Sequence, residues 1–131
     1  MNHEELLIKK FIHPDRQERF LALLTNPKGR KKLLSMLAHG VKLNSQYAKK
    51  IQADQQSISE IEKVLKSNGA PSNCFLISED SNLDQKEMQL REALNKVVGC
   101  GMGTFISCIP GKLAYYESED IGERYILSAA A

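Results

Sequence analysis

The chain has 131 residues, 42% hydrophobic and 26% charged, a balance that excludes disordered, collagen-like, coiled-coil and disulfide-scaffold classes. That length matches the roughly 100–200 residues of one domain and is enough to bury about two-thirds of the unfolded surface. The net charge of +2 hides an asymmetry: residues 1–50 hold 11 Lys/Arg against 4 Asp/Glu (+7), and residues 51–131 hold 7 against 12 (−5).

In chain order, Asn2 followed by Glu5 is a capping arrangement for a first helix whose apolar face is Leu6, Leu7, Ile8, Phe11 and Ile12 and which Pro14 ends. A second helix is predicted from Pro14, with Gln17, Phe20, Leu21 and Leu24 on one stripe. Asn26-Pro27 restarts the chain as a third, burying Leu33, Leu34, Leu37 and Val41, with Gly40 as its stop. A shorter fourth helix is predicted over 44–51, with Tyr47, Ala48 and Ile51 on one face. Ser57-Ile-Ser-Glu60 is a capping box for a fifth, carrying Ile58, Ile61 and Leu65 and closed by Asn68-Gly69-Ala70-Pro71.

After Pro71 the texture changes. Cys74-Phe-Leu-Ile-Ser78 reads as a buried strand. Asp84 with Glu87 three residues on, and Leu83 placed to staple onto Met88, predicts a helix start; Leu90, Ala93, Leu94, Val97 and Val98 form its buried face and Gly99 its stop. Segments 104–109 and 112–117 form a hairpin about Pro110-Gly111. A type II Pro-Gly turn twists poorly for a tight hairpin, so a bulge or longer loop is expected. Ile109 opposite Lys112 would set Phe105 against Tyr116 and Ile106 against Tyr115, on opposite faces. Residues 124–128 supply a last strand before a frayed tail at 129–131.

The expected fold is α+β: N-terminal short helices, then a β-α-β-β-β unit forming a small mixed sheet packed against helices. It is read as a single domain over 1–131, with a helical half (1–69) and an α/β half (72–128). A strand–helix–strand crossover between 74–78 and 104–109 implies parallel strands if the two are neighbours.

Lys28, Arg30, Lys31 and Lys32 crowd the first turns of the third helix, where the helix dipole disfavours cations and free amides attract anions. These four are the candidate anion- or partner-binding residues. A helix-turn-helix reading makes Thr25-Asn26-Pro27 the turn and aims Arg30, Lys31 and Ser35 at DNA. Against nucleic acid stand the lack of Trp, the 6% aromatic content and a pI of 8.4. Glu79 and Asp80, at a strand's carboxyl end, form a candidate crevice with Lys112 if the strands run parallel.

Catalytic signals are thin. Gly99-Cys-Gly-Met-Gly-Thr104 leaves a helix and enters a strand, the reverse of a phosphate cradle. An EF-hand register from Asp80 fails at Gln85 and Arg91. His3, His13 and His39 all lie in the helical half, away from Cys74, Cys100 and Cys108, and none belongs to a metal motif. No catalytic residue, metal or cofactor is assigned. Cys100 is the thiol expected to be exposed; of Tyr115 and Tyr116, which face opposite sides, one is expected in the core and the other outside, as a partner anchor or as a half-covered surface residue.

An odd number of cysteines without CxxC, no apolar leader after Met1-Asn-His-Glu-Glu5 and no membrane-length apolar run together point to a cytoplasmic protein. The expected function is non-catalytic binding, to a protein partner or as a homo-oligomer. The alternative is a regulator that binds nucleic acid or another phosphate anion through residues 28–32.

Overall fold

Helix starts fall where a side chain satisfies amides that the helix itself leaves open. The computed structural model describes residues 2–120 and 122–129. Helix α1 (His3–Phe11) is capped by Asn2, whose Oδ1 accepts the Glu5 N–H at 2.8 Å. Helix α2 (Pro14–Leu23) opens on proline at its first position, and α3 (Pro27–Ala38) on Asn26, whose Oδ1 accepts the Gly29 N–H at 2.7 Å. Ser57 caps α4 (Ile58–Ser67), which stops at Gly69 in the left-handed region (φ +97°).

Six strands follow the order β1-β6-β5-β4-β2-β3 and every pairing is antiparallel: β1 (Ala48–Lys50), β2 (Asn73–Ser78), β3 (Glu87–Gln89), β4 (Thr104–Ile109), β5 (Leu113–Glu117) and β6 (Arg124–Ser128). Helix α5 (Leu90–Val97) lies between β3 and β4 in the chain. The protein is α+β with helices at the N-terminus, as composition and pattern indicate. The β4–β5 register matches expectation away from the turn, Phe105 opposing Tyr116 and Ile106 opposing Tyr115, whereas the bulge between Ser107 and Ile109 sets Ile109 opposite Leu113 and not Lys112. Ala130 and Ala131 of the expected frayed tail lie outside the described residues.

Three expectations fail for physical reasons. Segment 44–51 is not a helix; after a turn it becomes β1 and pairs with β6, Lys49 opposite Ile126. Asp84 is not a helix cap either. Residues 87–89 pair with β2, and α5 starts five residues later than the capping box implies, at Leu90 after Gln89, with no side-chain cap. That extra strand reverses the chain before α5, so β4 returns antiparallel to its neighbour β2 instead of parallel to it.

The sheet is covered on both faces. Phe11, Phe20, Leu33 and Leu37 of α1–α3 pack with Ile77, Phe105, Ala114, Tyr116 and Leu127 on one face. Ile61, Leu65, Leu90 and Leu94 of α4 and α5 pack with Leu76, Ile106, Tyr115 and Ile126 on the other. Both tyrosines are therefore buried, contrary to the expected surface anchor. Tyr116 Oη donates to the Leu37 carbonyl at 2.6 Å and accepts the Val41 N–H at 3.3 Å, tying the end of α3 to the sheet.

Candidate binding surfaces

The structure splits the basic helix start in two. Arg30 turns inward: its Nε and Nη2 donate to the two Asp84 carboxylate oxygens at 2.9 Å each, and Nη2 also pairs with Glu4. It is a tie between α1, α3 and the β2–β3 loop, not a ligand for an outside anion, so it leaves both the anion set and the DNA-facing set. Lys28, Lys31 and Lys32 stay exposed on the outer side of α3. On α2, Arg16 and Arg19 are exposed, one and two turns before Leu23, whose carbonyl abuts Gly29 of α3. None of these five cations has a side-chain partner among the described residues. Of the α2 carboxylates, Asp15 is already drawn to Lys42 at 3.7 Å and His13 at 3.6 Å.

Glu79, Asp80 and Lys112 are not brought together. Ser78 opposes Thr104 at one end of the β2–β4 pair, while Lys112 follows Ile109 at the other end. Glu79 Oε1 accepts the Gly103 N–H at 2.8 Å, and Asp80 Oδ1 accepts the Asn82 N–H at 2.9 Å, so both carboxylates brace their own loops.

A concavity lies elsewhere, beside β1. It is a groove of about 590 Å³ with an apolar floor of Ile51, Ile61, Val64 and Ile126. Gln46, Gln52, Gln55 and Asn68 ring it with amides. Val64 is 39% exposed, one of few large apolar side chains so open. Lys49 opposes Ile126 in register, so it projects to the groove's side of the sheet, and it has no charge partner among the described residues. Lys50 points to the other face and pairs with Glu123 at 3.0 Å. The sequence reading missed this site because it took 44–51 for a helix; Ala48-Lys-Lys50 read as an edge strand would have exposed the mismatch between strands and helices.

Among the described residues, the buried side-chain polar atoms other than Glu4 Oε2 have hydrogen-bond partners within the protein. Glu117 Oε1 accepts the Tyr115 hydroxyl at 2.7 Å and the Gly99 N–H at 3.3 Å, with Arg124 Nε at 3.7 Å. Burial holds its carboxyl above the ordinary range against the opposing pull of these donors. His3 Nδ1 meets Ser107 Oγ at 2.6 Å with the imidazole stacked on Phe75, and burial lowers the imidazole's pKa while Glu87 raises it. Ser107 is buried under α1, so this pair holds the helix down and offers no open nucleophile. Cys100 is exposed, as expected, and its thiol donates to the Lys96 carbonyl at 2.8 Å.

Among the described residues no group of His, Cys, Asp and Glu is arranged to hold a metal ion, and no helix is long and apolar enough to cross a membrane. Comparison with known proteins finds no matching family model, no matching curated protein and no matching solved structure.

Proposed function

We propose that the protein is a non-catalytic binding protein that takes an amphipathic helix of a protein partner into the groove beside β1. The observation that carries this reading is the uncovered end of the sheet. Helices α4 and α5 pack over β2 to β5 and bury Ile126 of β6, so beyond them β1, with Lys49, and the outer side of α4, with the 39% exposed Val64, stay open on this face. Apolar side chains at i, i+3 and i+4 of an incoming helix would cover the exposed Val64 and the half-buried Ile51 over a floor already closed by Ile61 and Ile126, and a flanking carboxylate would meet Lys49. Strand addition at β1 is disfavoured, since this edge is three residues long and carries two lysines.

Selection from a library of short random peptides tests the reading. Binders should carry apolar residues at helical spacing with net negative charge. Lys49→Glu combined with Val64→Arg should abolish their binding while leaving the far-UV circular dichroism unchanged. Binders that keep their affinity for the double variant would refute it.

A second reading, binding of a phosphate backbone, is favoured by the five unpartnered cations Arg16, Arg19, Lys28, Lys31 and Lys32 on α2 and α3. Fluorescence anisotropy of labelled DNA and RNA oligonucleotides should then fall steeply with salt and be lost in Lys31→Glu with Lys32→Glu. Absence of binding at low salt would remove this reading and leave the groove as the sole site.

A further inference from the structure

We propose that Cys74 and Cys108 form an oxidisable dithiol, a site of reversible disulfide modification by a low-molecular-weight disulfide. The two residues sit on adjacent antiparallel strands. Phe75 opposes Ser107 and Leu76 opposes Ile106, so the next step of the same register sets Cys74 opposite Cys108. Both side chains belong to the same apolar cluster, under α4 and α5, so both thiols project from one face of the sheet.

The backbone pattern decides whether such a pair can be joined. The Leu76 N–H donates to the Lys86 carbonyl and the Leu76 carbonyl accepts the Gln85 N–H, each at 2.9 Å, so Leu76 turns its amide groups away from β4. Residue 74 shares that direction, two positions earlier on the strand. Cys74 and Cys108 therefore meet at a non-hydrogen-bonded position, where opposed Cα atoms stand about 4.5 Å apart and side chains come closest. A disulfide needs a Cα separation of roughly 4.4–6.8 Å. The β4–β5 register slips between Ser107 and Ile109, so the backbone of Cys108 is free of strict pairing on its other side and can adjust.

Access comes from a notch of about 210 Å³ that both cysteines line together with Pro71, Asn73, Glu87 and Pro110. Cys74 Sγ now donates to the Met88 carbonyl at 3.4 Å, a weak bond that rotation toward Cys108 would break. Burial pushes both thiols up to about 12, so neither rests as a thiolate and the reaction is expected to be slow. In the step itself, one cysteine sulfur attacks a reagent RSSR and forms a mixed disulfide, releasing RS⁻, which takes up that cysteine's proton. The second cysteine then attacks the protein sulfur of the mixed disulfide, closes the Cys74–Cys108 bond and releases the second RSH. RSSR is reduced to two RSH, and the protein loses two hydrogens.

The test uses full-length protein carrying Cys100→Ser, which removes the exposed thiol, incubated folded with oxidised glutathione. The expected product is a monomer lighter by two hydrogens. Trypsin cuts at Lys86, Arg91 and Lys96 between the two cysteines, so it should release one linked pair of peptides joining Cys74 to Cys108. The melting temperature should rise by roughly 5–10 °C and return on reduction. Either of two results would overturn the proposal: a stable single glutathione adduct, or two free thiols remaining after denaturant-unfolded protein has fully oxidised in parallel.

Discussion

Replacing Arg30 with Met should destabilise the fold by about 3 kcal/mol while leaving every outward-facing cation in place. Arg30, Glu4 and Asp84 have side chains only 16%, 11% and 12% exposed, so the trio is largely withdrawn from water. The guanidinium gives Asp84 two aligned bonds at 2.9 Å and pairs with Glu4, whose Oε2 is buried and accepts no aligned hydrogen bond of its own. Removal leaves two carboxylates facing each other, one of them without a donor. Asp84 keeps the Ser78 N–H at 3.0 Å. Breaking a buried pair by deleting one partner costs about 3–5 kcal/mol, and the residual exposure and surviving amide bond place this case at the lower end. For a chain of this size that corresponds to a fall of roughly 10 °C in melting temperature. Urea denaturation followed by far-UV circular dichroism suits the measurement, since there is no Trp to report. A cycle with Asp84→Asn should return a coupling energy above about 1 kcal/mol. A loss under about 1 kcal/mol for Arg30→Met, or additive single changes, would show that Arg30 is a surface cation after all. Lys31→Glu, by contrast, should stay within about 0.5 kcal/mol.

Three further outcomes are expected. Gly103→Ala should cost at least about 3 kcal/mol by thermal denaturation, because a Cβ there would lie 2.3 Å from the Leu37 carbonyl carbon and 2.5 Å from Ala38 N, both rigid backbone. Tyr116→Phe should lose about 1–2 kcal/mol in urea, since the Leu37 carbonyl and Val41 N–H both lose a partner. The pH dependence of Glu117 has a definite sign: its folded pKa is raised, so its contribution is fully present below the unfolded value near ~4.3 and is lost as pH rises through the folded value. Stability curves of wild type and Glu117→Gln should therefore diverge from about pH 4 upward, the wild type declining relative to the variant; parallel curves would contradict the raised value.

The helix caps and the β4–β5 hairpin were legible because their determinants are local. Asn2, Asn26 and Ser57 each act within three residues, and the Pro110-Gly111 turn sets the register of Phe105 against Tyr116 from a few residues away. The failures are non-local. Asp84 has the spacing of a cap, yet its carboxylate is engaged by Arg30, 54 positions earlier, and by the Ser78 amide. Tyr47, Ala48 and Ile51 satisfy a helical period as well as an edge strand does, and pairing with β6 decides between them. Missing β3 inverted the direction assigned to β4, and with it the crevice of Glu79, Asp80 and Lys112 disappears. Of the candidate anion set, Lys28, Lys31 and Lys32 remain outward-facing, whereas Arg30 was indistinguishable from them by spacing alone.

The charge asymmetry takes on a different meaning once folded. The two halves of the chain meet through Arg30 with Asp84 and Lys50 with Glu123, so part of the +7/−5 split is consumed internally. What remains is unequal in place: unpartnered cations lie on α2 and α3, over one face of the sheet, while the groove and Lys49 open on the other. Ligands on opposite faces have no steric reason to exclude one another. A peptide selected for the groove and an oligonucleotide bound to the cations should therefore bind at once, each with an affinity shifted less than about threefold by the other. Mutual exclusion would mean that both occupy one surface. Loss of the peptide in Lys31→Glu with Lys32→Glu would place that surface on the cations, and loss of the oligonucleotide in Lys49→Glu with Val64→Arg would place it on the groove.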